Sequence, residues 1–232
     1  MSNNAGTLTD FPYLMQDEFV QCIERFVEQY ARPLIERGVT DTNIVIRGRS
    51  AWQQYLQLRR PLLSKQNRCL NNISLSEDNA GIELEDVDPL QDIYLSESPT
   101  KDSGGYVEYH IVYSRTWRVP VVYVRAYQLD ETGNMEVVLD VGRVVDLLVT
   151  DNAVRGAMAA VDFGGALGIQ EHPMLGHPYL YLHPCHTAAL LRAVVAPSSD
   201  DRSGVVQIGI DNYVAAWLSL VGPAVGLALP CV

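Results

Sequence analysis

The stretch "YLHPCHTAAL", Tyr181 to Leu190, holds Cys185 between His183 and His186, with Pro184 stiffening the approach. Four of the five histidines in the chain, His172, His177, His183 and His186, fall within fifteen residues of one another around this cysteine. A thiol among imidazoles has three chemistries open to it. It can bind zinc, for which cysteine and histidine are preferred ligands, although the spacings here are irregular. It can be a hydrolase nucleophile, which needs a histidine base oriented by an Asp or Asn; no local signature of that kind accompanies it. It can carry an acyl group as a thioester and pass it to an amine. Against all three stands the plain reading of a cysteine packed as a small hydrophobe.

The flanking residues say how Cys185 is held. Tyr179 to Leu182 is a short apolar run suited to a buried strand, and Ala188 to Ala193 consists of strong helix formers. Cys185 therefore falls at a strand-to-helix junction, where the positive end of the helix dipole favours thiolate. Upstream, "YVEYHIVYS" alternates, with Val107, Tyr109, Ile111 and Tyr113 on one face, and "VPVVYVRAYQL" is rich in β-branched and aromatic residues. "RTWR" between them makes a hairpin connection. "NIVIRG" and "AWQQYLQL" read as two further strands, the second placing Trp52, Gln54, Leu56 and Leu58 on one face. Before them, "MQDEFVQCIERFVEQY" sets Phe19, Cys22, Ile23 and Phe26 at helical spacing. Met135 to Ala160 fits either an interrupted helix or a strand followed by a helix, and "FGGALGIQEHPMLGHP" reads as a glycine- and proline-rich loop. The predicted fold class is α+β, an antiparallel sheet with helices packed on one side.

The 232 residues suffice for one domain with a sizeable core, taken as 1–232 with an exposed acidic loop at 75–105. That loop carries nine acids from Glu77 to Asp102 against the single Lys101, with Pro89 and Pro99. A net charge of −11 speaks against a nucleic-acid-binding surface. The four cysteines are far apart with no C-x-x-C pair, and the N-terminus has neither a basic nor an apolar signal region. A reduced, cytoplasmic setting is expected. Tyr213 to Val232 contains no charged residue, but glycines and prolines interrupt it, so a core helix followed by a packed apolar segment is expected rather than a membrane span.

The segments "EHPMLGHPYLYLHPCHT", "YVEYHIVYSRTWRVPVVYVRAYQL" and "NYVAAWLSLVGPAVGL" together resemble the autophagy-related protein 10 family, from about Tyr106 to Leu227. The resemblance implies a UBC-like (E2-like) fold and an enzyme without a cofactor. It implies that Cys185 is loaded by an E1-like enzyme (autophagy protein 7) with the ubiquitin-like autophagy protein 12, which then passes to a lysine of autophagy protein 5. The H-P-C triplet is shared with the related E2 that lipidates autophagy protein 8, so that E2 stays open as an alternative, as does a non-enzymatic module with a structural or zinc-bound Cys/His cluster. Ubiquitin E2s place an H-P-N asparagine shortly before the cysteine to stabilise the oxyanion, and Leu175 to Pro184 contains no asparagine. The candidates for that task are His172, as donor or as base for the amine, and the indole N–H of Trp117 at the hairpin tip, which can donate but cannot act as acid or base. His183 and Pro184 read as shapers of the turn.

Overall fold

The computed structural model describes residues 6–33, 43–62, 104–148, 167–195 and 208–227. Helix α1 (Gln16–Phe26) continues through one wider turn at Val27–Ala31, and its apolar stripe buries Phe19, Cys22, Ile23 and Phe26 as the spacing requires. Its first turn is closed by Glu18, whose carboxylate accepts the Met15 and Thr9 amides at 2.7 Å each. Among the described residues seven strands follow: β1 (Asn43–Arg47), β2 (Tyr55–Pro61), β3 (Gly105–Ser114), β4 (Val119–Leu129), β5 (Met135–Val138), β6 (Leu167–Glu171) and β7 (Pro178–Leu182). The further helices among the described residues are α2 (Val141–Leu148) after β5, α3 (Thr187–Val195) after β7, and α4 (Tyr213–Val221).

All strand pairs are antiparallel, in the order β1-β2-β3-β4-β7-β6, with β5 on the end of β4. This is the expected α+β architecture. The β3–β4 hairpin pairs Gly105 with Gln128 through Ser114 with Val119, so Arg115–Arg118 is its tip. β7 touches β4 through only Tyr123↔Tyr181 and Val124↔Leu180, and pairs along its whole length with β6.

Strand alternation divides the sheet into two faces. Leu56, Leu58, Val107, Tyr109, Ile111, Val122, Val124, Leu180 and Leu182 form the main core with Phe19, Ile23, Phe26, Tyr213, Trp217 and Leu218 from α1 and α4. The opposite face has its own smaller cluster, Tyr55, Val112, Val121, Tyr123 and Tyr179, with Met174 and Tyr181 packed against it. The charge-free C-terminal stretch, as far as Leu227, is core: Tyr213, Val214, Trp217, Leu218, Val221 and Val225 are buried. Among the described residues no helix is long and apolar enough to cross a membrane.

Two expectations need correction, and one open alternative is resolved. Trp52 is not in a strand: Ala51–Gln53 is a short 3-10 turn, β2 starts at Tyr55, and the indole is 64% exposed beneath the Arg115 guanidinium at 5.3 Å. Only Leu56 and Leu58 of that run face the core. The stretch read as a loop from Phe163 contains strand β6, because pairing with β7 overrides the weak strand preference of "LGIQE". Met135 to Leu148 takes the strand-then-helix form, as β5 and α2. Cys69, Cys231 and nearly all of the acidic stretch lie outside the described residues.

Candidate active site

β7 ends at Leu182, and His183 stays extended (φ −66°, ψ 128°), as a residue before proline must. Pro184 opens a 3-10 turn, Pro184–His186, that runs into α3 through the Thr187 amide bonding to the Pro184 carbonyl. Proline fits there because an opening position has no partner for an N–H and wants φ near −65°. Cys185 sits inside this turn and is exposed, while Pro184 and Thr187 on either side are buried and anchor it. The Cys185 amide donates to Nδ1 of His183 at 3.2 Å, so the imidazole does for this turn what a serine or aspartate does at a helix start. His186 is exposed.

The hairpin tip reaches the same turn. Trp117 meets the His183 ring edge-on, centroids 5.1 Å apart and planes at 78°. Tyr181 flanks that ring at 6.0 Å and 88°. The tip itself is tied to the N-terminal segment: Leu14 donates to the Arg118 carbonyl at 2.8 Å, and Arg118 pairs with Asp10 at 3.0 Å. The Trp117 indole is thus placed against His183, and it bears on Cys185 through that ring. An open groove of about 630 Å³ starts here and runs along the second face, walled by Trp117, Tyr181, Tyr123, Met174, Pro173 and Trp52.

His172 is elsewhere. It follows β6, precedes β7 and so lies at the opposite end of β7 from Cys185. It is fully buried among Tyr55, His110, Tyr123 and Tyr179, each ring centroid within 5.3 Å. Its Nδ1 accepts the Met174 amide at 3.2 Å, so in the neutral ring the proton is assigned to Nε2, which faces His110 Nδ1 at 3.2 Å. Burial, followed by the neighbouring His110 and His177, pushes its pKa down to about 3. Burial and then Arg59, Arg47 and Arg125 push His110 down to about 3 as well. The expectation that His172 donates to the oxyanion or takes the amine proton is corrected: both its nitrogens are committed inside the sheet, and the rings of Tyr123 and Tyr181 stand between it and His183. Among the described residues, which include all five histidines and Cys185, no three His, Cys, Asp or Glu side chains gather as a metal-ligand set.

The other cysteine described, Cys22, is buried on α1, and burial with the charges of Glu18 and Asp211 pushes its thiol up to about 12. Of these two thiols, Cys185 alone is presented to solvent.

Residues 18–232 match the family model described as "Autophagocytosis associated protein, active-site domain". The chain belongs to that family. Within the family's matched span lie the β3–β4 hairpin, the Cys185 turn and α4. The chain is 34% identical to the human ubiquitin-like-conjugating enzyme ATG10 over 142 residues, 61% of this chain and 58% of that one. It therefore spans somewhat more than half the length of that relative. The protein of the same name from Gibberella zeae is 26% identical, with 97% of both chains aligned. A solved structure titled "Crystal structure of Autophagic E2, Atg10" aligns over 90% of this chain and 93% of that one, at 13% identity and a TM-score of 0.47.

Sequence reading missed the polar layer of the second face, although its signal was present. The residues alternating with Val107, Tyr109 and Ile111 are Glu108 and His110, which are buried. Glu108 accepts from Arg59, from Gln57 at 3.3 Å and from Tyr127 at 3.3 Å. An acid and a histidine on the outward phase of a central strand imply that something covers that face. The 172–176 turn contributes to that cover, with His172 buried against His110.

Proposed function

We propose that this protein is an E2-like conjugating enzyme of autophagy that carries a ubiquitin-like protein as a thioester on Cys185 and transfers it to a lysine amine. The observation that supports the reading best is the placing of Cys185. Of the two described thiols it is the exposed one, and it follows the end of β7 in a turn held by His183, within a family described by its active-site domain. The donor is taken to be autophagy protein 12, the acceptor autophagy protein 5, and the loading enzyme an E1-like enzyme, autophagy protein 7. The setting is cytoplasmic, the chain acts as one domain, and Trp117 and His183 are positioning residues.

The Cys185 thiolate attacks the carbonyl carbon of the thioester carried by the E1-like enzyme, the C–S bond to that enzyme breaks and its thiolate leaves. The acceptor nitrogen later attacks the same carbon and the sulfur leaves. A thiolate is a good leaving group, so the protein supplies mainly position and oxyanion stabilisation. The experiment is loading with the E1-like enzyme, the ubiquitin-like protein and ATP, followed by electrophoresis with and without reductant. Parent protein should give a reductant-sensitive adduct, Cys185→Ala none, and Cys185→Ser a reductant-resistant oxyester. An undiminished reductant-sensitive adduct in either variant refutes the assignment. Loading by autophagy protein 8 in preference to autophagy protein 12 would favour the lipid-directed alternative.

A further inference from the structure

The thioester reading leaves open what holds the oxyanion. The segment Leu175 to Pro184 has no asparagine. The Cys185 amide is already bonded to His183 Nδ1, and the Trp117 ring lies edge-on to His183. His172 is committed to His110 and Met174.

We propose that the Tyr181 hydroxyl is the hydrogen-bond donor to the carbonyl oxygen that turns negative when the Cys185 thioester is attacked, a role that rests on the thioester reading above. Alternation along β7 points Leu180 and Leu182 into the main core and Tyr179 and Tyr181 to the second face. His183 and the Cys185 turn follow in the same direction. Tyr181 is half-buried, braced by Tyr123 at 5.2 Å on one side and, at 6.0 Å on the other, by His183, the ring that holds the Cys185 amide; with Trp117 it walls the groove along the second face. The hydroxyls of Tyr109, Tyr113, Tyr127 and Tyr213 are engaged at Val225, Leu14, Glu108 and Pro12, inside the fold or on the far part of the sheet. Burial, and then the negative charge of Cys185 itself, raise the Tyr181 hydroxyl above its ordinary value. Tyr181 is thereby a group that feels the sulfur's charge and keeps its proton, which is what a donor needs and a base does not.

The step balances without proton transfer from the tyrosine. The amine lone pair forms the N–C bond while the carbonyl π pair moves to oxygen, where the Tyr181 O–H bonds to it. The pair returns, the C–S bond breaks, sulfur leaves as thiolate, and the extra proton on nitrogen passes to water. An isopeptide and free Cys185 result.

The test is Tyr181→Phe, which keeps the ring contacts to Tyr123 and His183, with Tyr123→Phe as a neighbouring control. Each is loaded, freed of E1 and ATP, and its discharge followed in single turnover, to free lysine and to the protein acceptor. Tyr181→Phe should slow discharge roughly 10²-fold, the lower end for loss of one oxyanion donor, by the same factor for both nucleophiles and with an unchanged melting temperature. Tyr123→Phe should discharge like parent. Discharge of Tyr181→Phe within about twofold of parent, an effect on the protein acceptor alone, or an equal effect of Tyr123→Phe overturns the proposal. Failure of the parent itself to load removes the thioester reading and the proposal with it.

Discussion

The buried histidine pair makes the sheet acid-sensitive by an amount that can be worked out. Met174 N–H enters one end of the pair, and Gln57 Nε2 faces His110 Nε2 at 3.2 Å at the other, its amide oriented by Arg47 donating to Oε1 at 2.8 Å. In the neutral pair His172 Nε2–H donates to His110 Nδ1 and His110 carries its own proton on Nε2, so both unprotonated nitrogens already accept a hydrogen bond and a further proton would break one of them. Glu108 Oε2 lies 3.9 Å from His110 Nε2; Tyr127 already donates to that oxygen and Arg59 to the carboxylate's Oε1. Both rings are held at about 3 in the fold, against about 6.5 when unfolded. The unfolded state therefore binds more protons between those values. Stability is complete above about 6.5 and is lost as pH falls toward 3. Linkage gives about 2 kcal/mol per histidine at pH 5, an upper figure, against a typical total of about 5–15 kcal/mol. His172→Asn keeps an acceptor for the Met174 amide and removes one titrating ring. Urea midpoints at pH 7.5, 6.5, 5.5 and 5 should show the variant less stable at pH 7.5, because a cavity opens, but losing stability about half as steeply on acidification. Carboxylates common to both proteins cancel in that difference. Parallel curves would refute the assignment of the pair as neutral and protonation-resistant.

Two other outcomes follow from the Cys185 turn. His183→Ala removes the acceptor of the Cys185 amide and the ring that Trp117 covers; it should cost about 1 kcal/mol and slow loading, and His183→Asn, which can still accept, should recover most of both. Thiol labelling of the folded protein at neutral pH, read by peptide mapping, should mark Cys185 well before Cys22, whose thiol is buried and pushed up to about 12; equal rates would contradict the packing of α1.

The sequence was informative where periodicity and chain order coincide. The β3–β4 hairpin could be read because two strongly β-forming runs flank a four-residue tip, and the Cys185 junction because an apolar run gives way to helix formers across a proline. β6 was hidden because Gly168 and the prolines around it carry loop signals, and its strand state comes from pairing with β7. Trp52 was misplaced because a run of alternating letters does not reveal where a strand begins. The role of His172 could not be read because its partners, His110 and Tyr55, are 62 and 117 positions away in sequence, and only the register of the sheet brings them together.

His172 and Cys185 are nevertheless connected, through the strand between them. β7 has only two residue pairs with β4, so its position depends on β6 and on the turn that joins them. That turn is closed by His172 N–H bonding to the His177 carbonyl at 2.8 Å, and it is fixed to the sheet by the imidazole reaching His110. From this anchor Tyr179, Tyr181 and His183 project on alternate residues along the second face, ending in the Cys185 turn. A strand with period two acts here as a ruler. Inserting or deleting one residue between Tyr179 and His183 would send the Cys185 turn's support into the main core and bring Leu180 or Leu182 onto the groove. On the thioester reading proposed above, His172 would act from the far end of β7, by fixing where the strand starts.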